Sequence, residues 1–297
     1  MKRHAYLILA HHRFGQLRKL IELLDDGRND IFVHVDKKSS LFNPTEWADV
    51  CRNSGLYFLE DRIDVRWGGV SIMRAELALL RAATQAGQYD YYHLLSGMDL
   101  PIKSQDEIHE FFDSHSGTEF LNFWEYDSGL ESRFRYYTIF PEGEKCALTR
   151  IINHSFKKLQ RAAGYRINRE IDFRYASQWF SITDSLARYV LSREEWLERI
   201  FCRTTICDEI FLATLVWNSP FRERLYVMEP ASSPADINLS NMRLVDWSRS
   251  GMRHPWTFRT EDWDLLMSVP HFWARKFDES VDFQIIEKIY ATLKSNC

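Results

Sequence analysis

The 297-residue sequence has no apolar run near the ~20 residues needed to span a bilayer. Its early apolar stretch, Ala5 to Ala10, is shorter than the ~7–15 residues of an export signal, and no small-residue cleavage site follows. Cysteine is scarce and scattered: Cys51, Cys146, Cys202, Cys207 and Cys297 are odd in number and contain no C-x-x-C pair. This excludes a disulfide framework and a zinc knuckle, and predicts reduced thiols in a cytoplasm. Positive charge is not in excess. A net charge of −4 excludes a general nucleic-acid binder, so no nucleic acid is expected as a partner. Glycine-rich phosphate motifs are missing too. There is no G-x-x-x-x-G-K loop and no G-x-G-x-x-G after the first strand, which removes the main support for a P-loop hydrolase or a dinucleotide oxidoreductase. No G-x-S-x-G elbow is present.

What the chain has is aromatic weight, 14% with ten tryptophans, and an α/β rhythm. "HAYLILAHH" reads as a buried strand. In "FGQLRKLIELLDD", Leu17, Leu20, Ile21 and Leu24 fall on one helical face. "DIFVHVDKK" gives a second strand, so the first 40 residues spell strand–helix–strand, the unit of parallel sheets. Further strands are predicted at "LYFLE" (56–60), Tyr91 to Leu95, and "EFLNFWE" (119–125). Ser71 is expected to cap the helix after Gly68–Gly69, and Ser104 with Glu107 makes a capping box. Residues 126–175 lose periodicity and become dense in Lys, Arg and aromatics, with one helix at about 149–163. We read residues 1–297 as a single α/β domain carrying this insertion.

Three patterns invite chemistry. His11, His12, His34 and Asp36 gather near strand ends, where open α/β sheets bind ligands, rather than in a metal-binding spacing. "DWD" (262–264) matches a metal-holding D-x-D string, yet it sits at a helix start, where acids favour the positive end of the dipole. "ICDEIFLATLVW" (206–217) places Asp208 and Glu209 before an apolar helix, either as caps or with one as a base. In "LLSGMDLPIKS", Gly97 allows close approach and Asp99 stands at a strand's C-terminal end; composition leaves a plain turn and a site loop equally open.

"LLSGMDLPIKS" resembles the GMDFPIK segment of the core-2/I-branching β-1,6-N-acetylglucosaminyltransferases, a family that includes peptide O-xylosyltransferases. "AYLILAHH", "IFVHVDKK", "VRWGGVS", "SQWFSIT", "DEIFLATL", "LVDW" and "ARKFD" follow in the family's order. The resemblance implies a GT-A fold: a Rossmann-like, mostly parallel central sheet flanked by helices. It also implies an inverting transfer from a UDP-sugar to a glycan or lipid-linked glycan acceptor, with no metal ion and no cofactor besides the donor. By position, Glu209 matches the catalytic base. Arg259 and Lys276 match the cations that hold the diphosphate. Asp36, Trp67, Gly97 and Asp99 fall where the family contacts the nucleotide. Trp247 matches an aromatic near the acceptor, with core packing as its other reading, and Glu125 and Arg135 are the acceptor-side choices. Desolvation at a helix mouth would raise the pKa of Glu209, leaving Asp208 as cap or structural partner.

The donor expected from the resemblance is UDP-GlcNAc, with UDP-xylose as the alternative and a non-catalytic glycan-binding module as the third reading. Animal members carry an anchor, lumenal disulfides and a stem. This sequence shows none, so it is expected to be a microbial relative in the cytoplasm, with peripheral contact at the inner membrane through the basic insertion.

Overall fold

A computed structural model describes residues 3–125, 128–142, 146–231, 239–250 and 254–295. Cys297 and residues 126, 127 and 143–145 of the insertion lie outside the described residues.

The apolar run at the N-terminus forms β1 (His4–Ala10), and the periodic segment after it forms α1 (Phe14–Leu24). Leu17, Leu20, Ile21 and Leu24 of α1 are fully buried, as their spacing requires. The chain continues through β2 (Asn29–Val35), β3 (Gly55–Phe58), α2 (Ser71–Ala86), β4 (Tyr91–Ser96), β5 (Asp99–Pro101) and α3 (Gln105–Ser114). After the short α4 (Ser128–Glu131) and α5 (Ala147–Ala162) come β6 (Ser181–Thr183), α6 (Asp184–Ser192), α7 (Glu194–Phe201) and α8 (Phe211–Trp217). The last elements are β7 (Arg243–Val245), α9 (Trp263–Ser268), β8 (Trp273–Arg275) and α10 (Phe283–Lys294).

The main sheet runs β3-β2-β1-β4-β6, with only β6 antiparallel. This is the mostly parallel, helix-flanked α/β sheet that the pattern predicts. Buried on both faces, β1, β2 and β4 are mostly apolar along their length, while β3 at the edge is only partly buried. Along β1, Ala5 and Leu7 enter the core with α2, α6, α7 and α8. Tyr6 and Ile8 enter the opposite core with α1, α3 and α10. A second sheet, β5-β8-β7, closes that second core. Chain order reverses between β1 and β4, and such a reversal opens a crevice at the carboxyl ends of the strands.

Local expectations met mixed outcomes. Ser104 and Glu107 form their capping box. Ser71 does not cap α2; it is the first helical residue, and its amide and hydroxyl both donate to Glu142, at 2.9 and 2.8 Å. Residues 119–125 form isolated bridges through Glu119, Phe120 and Trp124 rather than a strand. Their aromatics serve the cores: Phe120 and Phe123 are buried. Neither acid of "DEIF" caps α8, whose N-cap is Ile210 and which has no side-chain cap.

Candidate functional site

The carboxyl ends of β1, β2 and β4 meet around the crevice. The amide of Gly97 donates to Leu9 at 2.9 Å, and that of Asp36 to Ala10 at 2.8 Å. Asp36 is buried; one oxygen accepts from the Lys38 amide at 2.8 Å, and the other lies 3.0 Å from Lys38 Nζ. Lys38 also pairs with Asp64, drawing the loop before Trp67 toward β2. Trp67 is 62% exposed and, with Lys38, Arg66, Glu142 and Thr149, lines a cavity of ≈ 550 Å³. A larger hollow, ≈ 820 Å³, is crossed by the ion pairs Arg74–Glu198 and Arg81–Glu194 and carries none of the predicted site residues.

The loop containing Gly97 and Asp99 is stitched to the segment containing Lys276. Asp99 is buried. One of its oxygens accepts from Arg275 at 2.7 Å and the other from the Ser96 amide at 2.8 Å. Burial raises its pKa against the pull of Arg275. Asp99 therefore spends both oxygens inside the protein and positions Arg275, whose guanidinium lies 4.3 Å from the ring centre of Trp179. The amide of Phe277 donates to Met98 at 2.8 Å, and Gln16 bonds the carbonyls of both Gly97 and Phe277. Lys276 is half-buried and sits against the Trp256–Phe258 segment: its carbonyl accepts from Phe258 at 2.9 Å. Arg259 follows directly and is exposed, its guanidinium 5.4 Å from the Trp256 ring centre. The two predicted diphosphate cations are thus carried on adjoining strands of chain.

Glu209 closes a 3-10 turn, Cys207–Glu209, ahead of α8. The turn is pinned to the glycine pair, with the amide of Ile206 donating to Gly68 at 2.9 Å. One carboxylate oxygen of Glu209 accepts from Arg133 Nη1 and from the Tyr175 hydroxyl, both at 2.9 Å. The other oxygen makes no hydrogen bond among the described residues, and the side chain is 31% exposed. Burial and the charge of Glu209 hold the Tyr175 hydroxyl well above its usual range, so it stays protonated and donates to Glu209. The neighbouring carboxyl, Asp208, is perturbed by its surroundings. Its pKa is raised by desolvation and then by the charge of Glu209. Glu76, buried beneath it and held by Gln178 at 2.8 Å, is raised for the same first reason.

The model of the Core-2/I-branching enzymes matches residues 4–266.

The chain belongs to the Core-2/I-branching enzyme family.

Rat xylosyltransferase 2 is 25% identical to it over 306 residues, covering 95% of this chain and 33% of the rat protein. Xylosyltransferase sqv-6 of Caenorhabditis briggsae is 24% identical over 299 residues, covering 92% and 34%. The chain spans about a third of the length of the curated relatives it matches. A crystal structure of mouse xyloside xylosyltransferase 1 aligns with a TM-score of 0.39 at 10% identity, covering 92% of this chain and 97% of that one.

In this Core-2/I-branching chain the remaining predicted residues fall as follows. Trp247 is half-buried just past β7, in a turn tied to Trp256 through the carbonyl of Asp246 at 2.7 Å. Glu125 is exposed. Arg135 is engaged within the insertion: it donates to the carbonyls of Asn168 and Ile171 and lies over Phe173. Asp262 of "DWD" accepts from Arg249, Trp256 Nε1 and the Arg259 amide. Among the described residues no group of three or more His, Cys, Asp or Glu is arranged to hold a metal ion. Arg133, Tyr175, Lys38 and Arg66 were not singled out by sequence. The signals available were general: a basic, aromatic insertion, and charges after β2.

Proposed function

We propose that this Core-2/I-branching enzyme is a GT-A glycosyltransferase that moves a sugar from a UDP-sugar to an acceptor hydroxyl with inversion and without a metal ion. The observation that carries the reading is the half-occupied carboxylate of Glu209. One oxygen is fixed by Arg133 and Tyr175, the other makes no hydrogen bond among the described residues, and the side chain is 31% exposed. A fixed acceptor of this kind suits removal of the hydroxyl proton as that oxygen attacks the anomeric carbon. The reaction is a single in-line displacement: the new C–O bond forms as the bond to the UDP oxygen breaks, and the proton passes to Glu209. Charge gathering on the departing diphosphate is met by Arg259, with its forked guanidinium, and by Lys276. Trp67 and Asp36 face the nucleotide, and Trp247 offers a flat ring to the acceptor sugar.

Two donors stand on the same footing. The motifs point to UDP-GlcNAc, and the matched relatives are named xylosyltransferases, which supports UDP-xylose as strongly. The acceptor is a glycan, lipid-linked glycan or peptide hydroxyl.

The test is release of UDP from UDP-GlcNAc and from UDP-xylose, each with and without EDTA. Turnover with one donor, unchanged by EDTA and reduced at least ~1000-fold in Glu209→Gln with UDP affinity retained, is the expected result. Loss of turnover in EDTA, or wild-type turnover in Glu209→Gln, refutes the mechanism. Binding of donor with no turnover returns the chain to a glycan-binding module.

A further inference from the structure

Helix α5 is turned inside out. Its buried residues are polar: Asn153 exchanges two hydrogen bonds, each 3.0 Å, with the backbone of Phe140, and Gln160 exchanges two, each 2.9 Å, with the backbone of Tyr137. These two amides, seven positions apart on one helical face, hold the helix to the rest of the insertion. The aliphatic face points outward instead: Leu148 is 65% exposed, Ile151 62% and Leu159 64%. Lys158 borders that face, Arg150, Lys157 and Arg161 lie further round the helix, and no acidic residue occurs between 147 and 162. A surface helix ordinarily buries its apolar face, so this one is built for contact with something apolar outside the chain.

We propose that α5 is a membrane-surface helix that lies on an anionic lipid leaflet. An aliphatic face on a helix that otherwise carries cations and no acid is the chemistry of an interfacial helix, and the cations select a negatively charged surface. A second copy of the chain is disfavoured by the same charges, since two helices that carry cations and no acid would bring like charges together. The placement has a consequence for the cleft. Thr149, in the first turn of α5, lines the cavity with Trp67. A docked helix sets the mouth of that cavity at the lipid surface. The inference stands apart from the donor chemistry and needs no turnover to test it.

The experiment is cosedimentation of the full chain with vesicles of equimolar phosphatidylcholine and phosphatidylglycerol, and with vesicles of phosphatidylcholine alone. The wild type is expected to pellet with the first and not the second, and to be released by raised salt. Ile151→Ser with Leu159→Ser, and separately Arg150→Glu with Lys158→Glu, should each weaken binding at least ~10-fold without lowering the melting temperature, because these side chains are exposed. Equal binding to both vesicles, no binding to either, or wild-type binding by the charge-reversed variant overturns the proposal. So does a wild-type dimer in light scattering that becomes monomeric in Ile151→Ser with Leu159→Ser.

Discussion

Arg133 and Tyr175 converge on one oxygen of Glu209, and that convergence sets the direction of the other oxygen. A carboxylate held at one end presents its free end at a fixed angle, and small losses of orientation are costly in a displacement reaction. Tyr175→Phe is expected to lower kcat ~10-fold, and Arg133→Ala ~100-fold, with KM for the donor little changed. In a Glu209→Gln background both effects should shrink, since the group being oriented is gone; steady-state kinetics on the single and double variants check this. Glu209 is singled out by the resemblance of "DEIFLATL" to the family segment, since the residues alone leave cap and base open. Arg133 is not. It and Arg135 sit two apart in a segment without periodicity, and their opposite fates are decided by tertiary packing. Phe134 stacks on Phe173 at 4.3 Å, Arg135 lies over Phe173, and Arg133 is left beside Tyr175.

Helix α2 shows how one element joins the insertion to the site. Its N-terminus begins after Gly68, whose φ of 75° suits glycine, and Gly69. A side chain at Gly69 would place its Cβ 2.0 Å from Glu142 Oε2, and Glu142 is the residue that accepts from Ser71. An acid from the insertion therefore satisfies the first turn of α2, where the helix dipole favours negative charge. Gly69→Ala should destabilise the fold by about 1 kcal/mol by displacing the Glu142 carboxylate from Ser71, and Glu142→Ala should cost about 1 kcal/mol as a lost cap. Combined, they should cost less than the sum, because the clash and the cap involve the same carboxylate; urea melts of the four proteins measure the coupling. The sequence marked the turn and the helix but assigned the cap to Ser71, since a residue 71 positions away cannot be seen as a cap from spacing. The helices with a continuous apolar face, α1 and α10, were legible for the opposite reason: their periodicity records burial directly. The segment 119–125 has the composition of a strand, yet its aromatics fill cores instead of extending a ladder.

Across the whole molecule, the parallel sheet was readable from its apolar runs, while the edge that closes it depends on one buried acid. Glu119 is fully buried. It accepts from the amide of Thr183 at 2.9 Å and from its hydroxyl at 2.5 Å, tying the extended segment to β6 and to the start of α6. Desolvation raises its pKa from the ordinary 4.5 to about 7, despite the opposing hydrogen bonds from Thr183. In the unfolded chain Glu119 ionises near 4.5; in the folded chain it holds its proton until about 7. Between those values the folded state binds the extra proton, so the contribution of Glu119 to stability falls as pH rises through this window and levels off above it. The full difference is on the order of 3 kcal/mol. Buried histidines act in the opposite sense: His34, His109 and His271 are lowered to about 4 by burial, and they favour folding as pH rises from about 4 to 6.5. A melting curve of the wild type alone would therefore mix the two. The difference between wild type and Glu119→Gln isolates the acid, since glutamine can accept from the Thr183 amide and donate to its hydroxyl without carrying charge. That variant should match the wild type near pH 5 and exceed it by several degrees in melting temperature near pH 8. A gap that stayed constant between the two pH values would mean that Glu119 ionises in the folded protein as it does in water, and that its burial carries no charge penalty.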